Sequence, residues 1–217
     1  MSHSPGVAAV VESTVEDSNT QHPVASRVPT VPPLVGRLVR LRAIRPDDYP
    51  SLFDIAMSEQ ISFRWRYRGS IPDFGTFVQG LNQGVLCQFA VSSTTSDAIV
   101  GLVCAYAADN RNGHCFLAVV MADRFVATGA GVEAVALFTN YVFETWPMRK
   151  MYFEAIDFAY DQYRSGEGRI FRREGCLKEH WYYAGQWWDE HMLAIYREDV
   201  LMYRKTLIPA LSRVDYP

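Results

Sequence analysis

No apolar run in this chain approaches the roughly 20 residues that a membrane-spanning helix needs. No basic start followed by an apolar core opens it, so a secretory leader is not expected either. Basic excess is missing as well. The net charge is −3 and the pI about 6.0, which argues against a general nucleic-acid binder. Cysteine is sparse: Cys87, Cys104, Cys115 and Cys176 stand far apart, and no Cys/Cys or Cys/His pair has metal-ligand spacing. No metal site is therefore expected. Three of these thiols sit in apolar, strand-like runs, where a free cysteine behaves as a small hydrophobe, and they are read as reduced thiols of a cytoplasmic protein. A GxSxG nucleophile motif is absent. The first 34 residues lack any aromatic side chain and are rich in Ser, Thr, Val and Pro, so they bury too little to offset their ordering entropy. Residues 1–34 are read as a flexible tail, or as an arm that docks on a partner.

The remainder, residues 35–217, has the apolar content of one globular domain; 49% of the whole chain is hydrophobic. Leu38, Val39, Leu41 and Ile44, interleaved with arginines, read as a strand, and Pro46-Asp47-Asp48 opens a helix whose first-turn acids suit its dipole. Pro72-Asp73 opens a second, with Phe74, Phe77, Val78 and Leu81 at helical spacing. Strands are expected over 86–92, 99–106 and 114–121, joined by the polar stretches 93–97 and 109–113. Val132, Val135, Ala136, Thr139 and Val142 repeat with helical period until Trp146-Pro147 stops them. A strand over 151–157 follows. Ser165 is expected to cap a helix ending at Gly175. A hairpin of 177–183 and 187–196 turns at Ala184-Gly185-Gln186, and 201–211 is expected to form a terminal helix. Strands grouped early, then alternating with helices, predict a mixed α+β architecture.

The stretch Phe116 to Ala134, FLAVVMADRFVATGAGVEA, carries the most chemistry. An apolar strand runs into a small-residue loop and then into an amphipathic helix. Unpaired N–H groups at a helix start favour an anion, and glycine lets backbone approach it closely. On these residues alone, a plain tight turn and a phosphate loop stand equal. A P-loop requires Lys then Ser or Thr at the helix start, and here Val132 and Glu133 follow Gly131. The dinucleotide fingerprint requires a third spaced glycine and a βαβ repeat, which are missing.

Gly129-Ala130-Gly131-Val132-Glu133-Ala134 resembles the pyrophosphate loop of the GCN5-related N-acetyltransferases, the GNAT superfamily. The following Glu-Ala pair is similar to the branch that acetylates ribosomal-protein N-termini. Val126 departs from the Gln or Arg of the first signature position, and Arg124 is the candidate to reach in instead. The resemblance extends over 36–200, through Leu38–Asp48, Arg149–Ala155, Phe171–Glu179 and Trp187–Tyr196. It implies the GNAT fold, a mixed, mostly antiparallel sheet whose fourth and fifth strands splay apart around acetyl-CoA or another acyl-CoA. It also implies coenzyme contacts from Val119, Val120 and Met121 on the strand edge, and from Arg124, Val126, Ala127, Thr128, Gly129, Ala130 and Gly131 in the loop.

The implied reaction is acyl transfer to a primary amine, of a small metabolite or of a protein N-terminus, within a ternary complex. Such transfer needs a base for the amine, stabilisation of the oxyanion and a proton for the departing thiolate. The family's usual acid, a tyrosine, falls on Phe171, and the branch's frequent base, a glutamate, falls on Phe116. The branch's Asn and Ser positions fall on Arg164 and Glu167. In their place stand His114, Asp157, Tyr163 and Ser165 as candidates for catalysis. Each also has a plain reading: a polar strand end, a turn cap or a packing aromatic. Glu133 is as much a structural candidate as a catalytic one. Arg64, Trp65 and Arg66, in the loop Ser62–Gly69, border the expected acceptor site. Arginine suits an acidic group on the acceptor, but the same pattern serves RNA by stacking or a solvated face. The departures leave open a non-catalytic acyl-CoA-binding or partner-binding domain, and an acyl-carrier-protein-dependent enzyme. Trp181, Trp187 and Trp188 are candidates for either a homodimer face or core.

Overall fold

Alternation and helical spacing along the chain resolve into strands β1 (Val39–Arg42), β2 (Val85–Ser93), β3 (Ile99–Asp109), β4 (His114–Met121), β5 (Lys150–Ile156), β6 (Arg172–Tyr183) and β7 (Gln186–Tyr196). The helices are α1 (Tyr49–Ala56), α2 (Phe74–Gly80), α3 (Ala130–Thr145) and the short α4 (Asp157–Tyr160). The computed structural model describes residues 34–161 and 163–200. The expected terminal helix over 201–211, and all of the expected tail except Leu34, lie outside them.

The strands form one sheet in the order β1-β2-β3-β4-β5-β7-β6. Every neighbouring pair is antiparallel except β4 and β5. Helix α3 makes the crossover between these two parallel strands, as a parallel pair requires. The two faces carry separate cores. Val103, Cys115, Leu117, Met151, Leu193 and Ile195 pack with Ala134, Leu137 and Phe138 of α3. Leu102 and Val120 pack on the other face with Leu52 and Ile55 of α1 and Phe77 of α2.

Local chemistry sets the boundaries. The Asp73 carboxylate caps α2, accepting the Thr76 N–H at 3.0 Å. Asp48, buried before α1, accepts both Nη groups of Arg42 at 2.7 and 2.8 Å and the Arg45 N–H at 2.6 Å. Helix α3 stops at Trp146, before Pro147, and Arg197 closes it by donating to the carbonyls of Met148 at 2.6 Å, Trp146 at 2.5 Å and Phe143. The β6–β7 turn is a two-residue loop with positive φ at Ala184 (53°) and Gly185 (80°), the type I′ geometry that suits a twisted hairpin.

One expected element is replaced. Ser165 caps no helix running to Gly175. Arg164–Gly166 is a single 3-10 turn, and Gly175 lies inside β6 opposite Met192. The Phe171 ring packs so closely on Gly166 that a Cβ there would sit 2.7 Å from Cε1, and Gly168 takes φ +73°. Two glycines this close disfavour a helix, and burying Phe171 against Phe153 folds the chain back into a strand.

Across the far half of the sheet, Lys150 is 6% exposed and is paired with Glu174 at 2.6 Å. The Tyr152 and Tyr196 hydroxyls donate to the same carboxylate. Burial pushes that carboxyl up, but Lys150 and the two hydroxyls outweigh it and hold Glu174 down at about 2. A depressed carboxyl stabilises the fold fully above its ordinary value of 4.5 and loses that contribution as pH falls towards 2. Glu174→Gln, which leaves the Lys150 ammonium without its counter-charge, is expected to lower Tm at pH 7 by about 5 °C. The gap from wild type should close as melts are repeated from about pH 4.5 down to 2.

Candidate active site

Strands β4 and β5 pair through His114–Lys150, Cys115–Met151 and Phe116–Tyr152, and then part. Beyond that point β4 stays with β3 as far as Met121–Gly101, while β5 stays with β7 as far as Ile156–Glu190. The edge of β4 from Leu117 to Met121 therefore has no strand partner on the β5 side among the described residues. Val119, Val120 and Met121 lie along this open edge. The Phe116 and Tyr152 rings, 5.4 Å apart, mark the apex of the cleft, with Tyr106 beside Phe116 at 5.6 Å.

At the wide end, a 3-10 turn over Asp123–Phe125 leads into the loop before α3. Ala127 (φ 62°) and Gly129 (φ 87°) turn the chain, and α3 starts at Ala130. The Thr128 hydroxyl donates to the Phe125 carbonyl at 2.8 Å. Arg124, Val126, Ala127, Thr128 and Gly129 are exposed, and the Arg124 guanidinium lies 5.2 Å from the Phe125 ring. A Cβ at Gly131 would meet Met121 Cγ at 3.4 Å, so helix and strand approach closely there. Glycine conformation, exposed loop and the first turn of α3 together make a cradle suited to a diphosphate.

Glu133, in that first turn, is structural. Its carboxylate accepts the backbone N–H groups of Arg37, Leu38 and Val39 at 2.7, 2.7 and 2.9 Å. The start of β1 is thereby pinned against the loop. Gly36 makes room, since a Cβ there would fall 2.4 Å from the Glu133 carboxyl carbon.

The four expected catalytic side chains do not converge. His114 lies on the closed side of the apex, its ring 5.6 Å from Tyr152. Tyr163 and Ser165 are exposed in the turns after α4, with Tyr163 6.0 Å from Phe153. Asp157 Oδ1 is 2.9 Å from Nε2 of the buried His191, whose ring stacks on Tyr160 at 4.2 Å. Tyr160 in turn donates to Glu167, and the buried His191 Nδ1 has no partner among the described residues.

A different carboxylate stands at the cleft. Glu154 is two residues past Tyr152 on β5, on the same sheet face and the open side of the apex. The Tyr106 hydroxyl is 3.5 Å from it. Partial desolvation and then the neighbouring Glu190 push its carboxyl above the usual range, while Arg68, Tyr106 and His180 pull it back. Glu190, 3% exposed, accepts Trp181 Nε1 at 2.5 Å and lies 3.4 Å from His180 Nε2. A bulge brings His180 there: Leu177 pairs with Glu190 and Trp181 with Trp188, so Lys178, Glu179 and His180 stand opposite Asp189 alone. The signal in the sequence was a single acid within the apolar strand MYFEAI.

The loop after α1 closes this face. Phe63 stacks on Tyr183 at 3.9 Å, and Arg68 lies 4.8 Å from the Trp181 ring. Of the three residues expected at the acceptor site, Trp65 packs with the α1–α2 core and Arg66 donates to the Gly80 carbonyl at 2.8 Å. The Arg64 guanidinium lies 6.0 Å from the Phe63 ring. Trp187 is 60% exposed, whereas Trp181 and Trp188 are half-buried.

No protein-family model matches the sequence, and no curated protein sequence does. Solved structures do. The chain superposes on a spermidine N-acetyltransferase from Vibrio cholerae in complex with CoA and spermine, with a TM-score of 0.65 and 17% identity over 76% of this chain and 98% of that one. A GNAT-family acetyltransferase from Bacillus anthracis gives 0.63 and 20% over 76% and 98%. A GCN5-related N-acetyltransferase from Brucella melitensis gives 0.63 and 22% over 84% and 88%. The fold is that of the GNAT acetyltransferases. Within that fold the parted strands are the fourth and fifth. Among the described residues, no helix is long and apolar enough to cross a membrane, and no group of His, Cys, Asp or Glu could hold a metal ion.

Gly36→Ala is expected to push the Glu133 carboxylate off the start of β1 and to cost about 1–3 kcal/mol. A chemical denaturation curve with an unshifted midpoint would remove Glu133 from its clamping role.

Proposed function

We propose that this chain is a cytoplasmic N-acetyltransferase that carries an acetyl group from acetyl-CoA to a primary amine. The observation that carries the reading is the parting of β4 and β5 just past Phe116 and Tyr152, beneath the glycine-bearing start of α3. An open strand edge inside a domain leaves backbone donors and acceptors that need partners. The amide-bearing pantetheine arm of CoA supplies them, along Val119 to Met121. Its diphosphate lies against the loop Arg124–Gly131, and the thioester reaches the apex.

Glu154 takes the base role there. Its raised carboxyl is better matched to an ammonium proton than an ordinary carboxylate would be. The acceptor nitrogen gives a proton to Glu154, directly or through a water, and attacks the thioester carbonyl carbon. The C–N bond forms, the C–S bond breaks, and the departing CoA thiolate takes the second proton, which the acylated nitrogen gives up. β4 backbone N–H groups at the cleft stabilise the intermediate oxyanion. The spermine named with the Vibrio protein is a polycation. Here Glu154 and Glu190 set negative charge on the acceptor face, which favours a small cationic amine over an acidic acceptor.

Calorimetric titration with acetyl-CoA, followed by thiol release across a panel of polyamines, amino sugars and peptide N-termini, tests the reading. Micromolar binding with release is expected. Binding without release under any amine would make the chain an acyl-CoA sensor, and transfer only from a loaded carrier protein would move the donor. Gly131→Glu places bulk and like charge at the diphosphate, so its titration with acetyl-CoA should show no heat of binding. Wild-type affinity in that variant would refute the placement. Glu154→Gln should lower kcat by about 10²–10³-fold with a smaller effect on KM. Wild-type activity should fall as pH drops through the raised Glu154 pKa, because the base must be ionised. A Gln variant that keeps the wild-type kcat and acid limb would exclude Glu154.

A further inference from the structure

Val126, 49% exposed, stands in the loop before α3 at the position where the resemblance to the GNAT signature implies a basic or amide side chain. We infer that Arg37, from the other end of the sequence, fills that role and grips a phosphate of the coenzyme. This rests on the proposed acetyl-CoA site. Glu133 holds the Arg37 N–H at 2.7 Å, and Glu133 is itself bonded through its backbone N–H to the Gly129 carbonyl at 3.0 Å. Arg37 is thus linked through Glu133 to the loop's own glycine. Its neighbour Leu38 touches the same place, with Cδ1 3.8 Å from where a Gly129 Cβ would lie. The Thr94 hydroxyl fixes the Arg37 backbone from the opposite side, donating to its carbonyl at 2.8 Å. The residue is held at its backbone while its side chain is left over.

That side chain has no hydrogen-bond or ion-pair partner among the described residues. The nearby arginines differ: Arg40 faces Asp97 at 3.6 Å, and Arg42 is locked on Asp48. Direct charge balance points the same way. Glu133 puts a negative charge into the first turn of α3, where a diphosphate would otherwise meet only donors. A guanidinium delivered by that same carboxylate offsets the repulsion, and its planar fork matches phosphate oxygens in a bidentate way. Glu133 is then a positioning residue, and Arg37 a binding residue that no local motif contains.

The test titrates full-length wild type, Arg37→Ala, Arg124→Ala and the double variant Arg37→Ala/Val126→Arg with acetyl-CoA and with its 3′-dephospho form. Wild type is expected to bind both. Arg37→Ala should weaken binding by about 10–100-fold, with an unchanged Tm, since the side chain supports nothing else. Equal loss for both ligands assigns Arg37 to the diphosphate; loss confined to acetyl-CoA assigns it to the 3′-phosphate. Val126→Arg should recover affinity in the Arg37→Ala background if the diphosphate is the target. Unchanged affinity of Arg37→Ala for both ligands, with wild type binding normally, overturns the inference and leaves the coenzyme site standing. Failure of wild type itself to bind either ligand overturns that site and this inference with it.

Discussion

A sheet that stops zipping is the constraint on which this molecule turns. Two parallel strands share their first few pairs and then follow different neighbours. β4 is held to β3 by a close approach at Gly101, where a Cβ would sit 2.3 Å from the Val120 carbonyl oxygen. β5 is held to β7 through to Ile156. Each strand is satisfied on its outer side, so sheet twist carries the inner edges apart. Exposing one inner edge costs backbone hydrogen bonds, and a ligand with alternating donors and acceptors restores them.

The two faces of that cleft differ in chemistry. The α3 side supplies backbone dipoles, glycine conformations and the clamp from Glu133 to β1. The α1–α2 side supplies aromatic rings and coupled carboxylates, with Arg68 and His180 at their margin. Donors on one side and carboxylates on the other are what the proposed reaction, between a polyphosphate-bearing thioester and a protonated amine, requires. The loop carrying Phe63 and Arg68 docks on the β6–β7 hairpin, so it spans from the α1–α2 layer to the far half of the sheet. The positive φ of Arg66 (44°) and Arg68 (49°) is the conformational cost of that crossing.

Much of the fold was legible because its signals are local. β4 spans His114–Met121, the residues marked by the apolar run. Helix α3 ends before Pro147, and α2 begins after the Asp73 cap, as residue chemistry dictates. The region after β5 departs from the expected helix because Gly175 looks like a helix stop only from its neighbours in sequence. In the fold it opposes Met192, and Gly166 under the Phe171 ring directs the chain. Among the residues singled out for chemistry, Asp157 meets His191, a residue that carried no role in the sequence reading; His114 stands behind the apex instead.

Taken alone, the sequence determined most of the elements and the order strand, small-residue loop, helix over 116–134, because turn conformation, helix capping and strand alternation depend on residues a few positions apart. Only the tertiary structure decided which side chains share the cleft. Glu154, Glu190 and His180 meet through β5–β7–β6 pairing and a bulge, and a one-residue slip in either register would send them to the opposite face. Arg37 and Glu133 are 96 residues apart and meet because each strand from β1 to β4 runs opposite to the one before it, so β1 and β4 run in opposite directions and the start of β1 lies at the same end of the sheet as the end of β4.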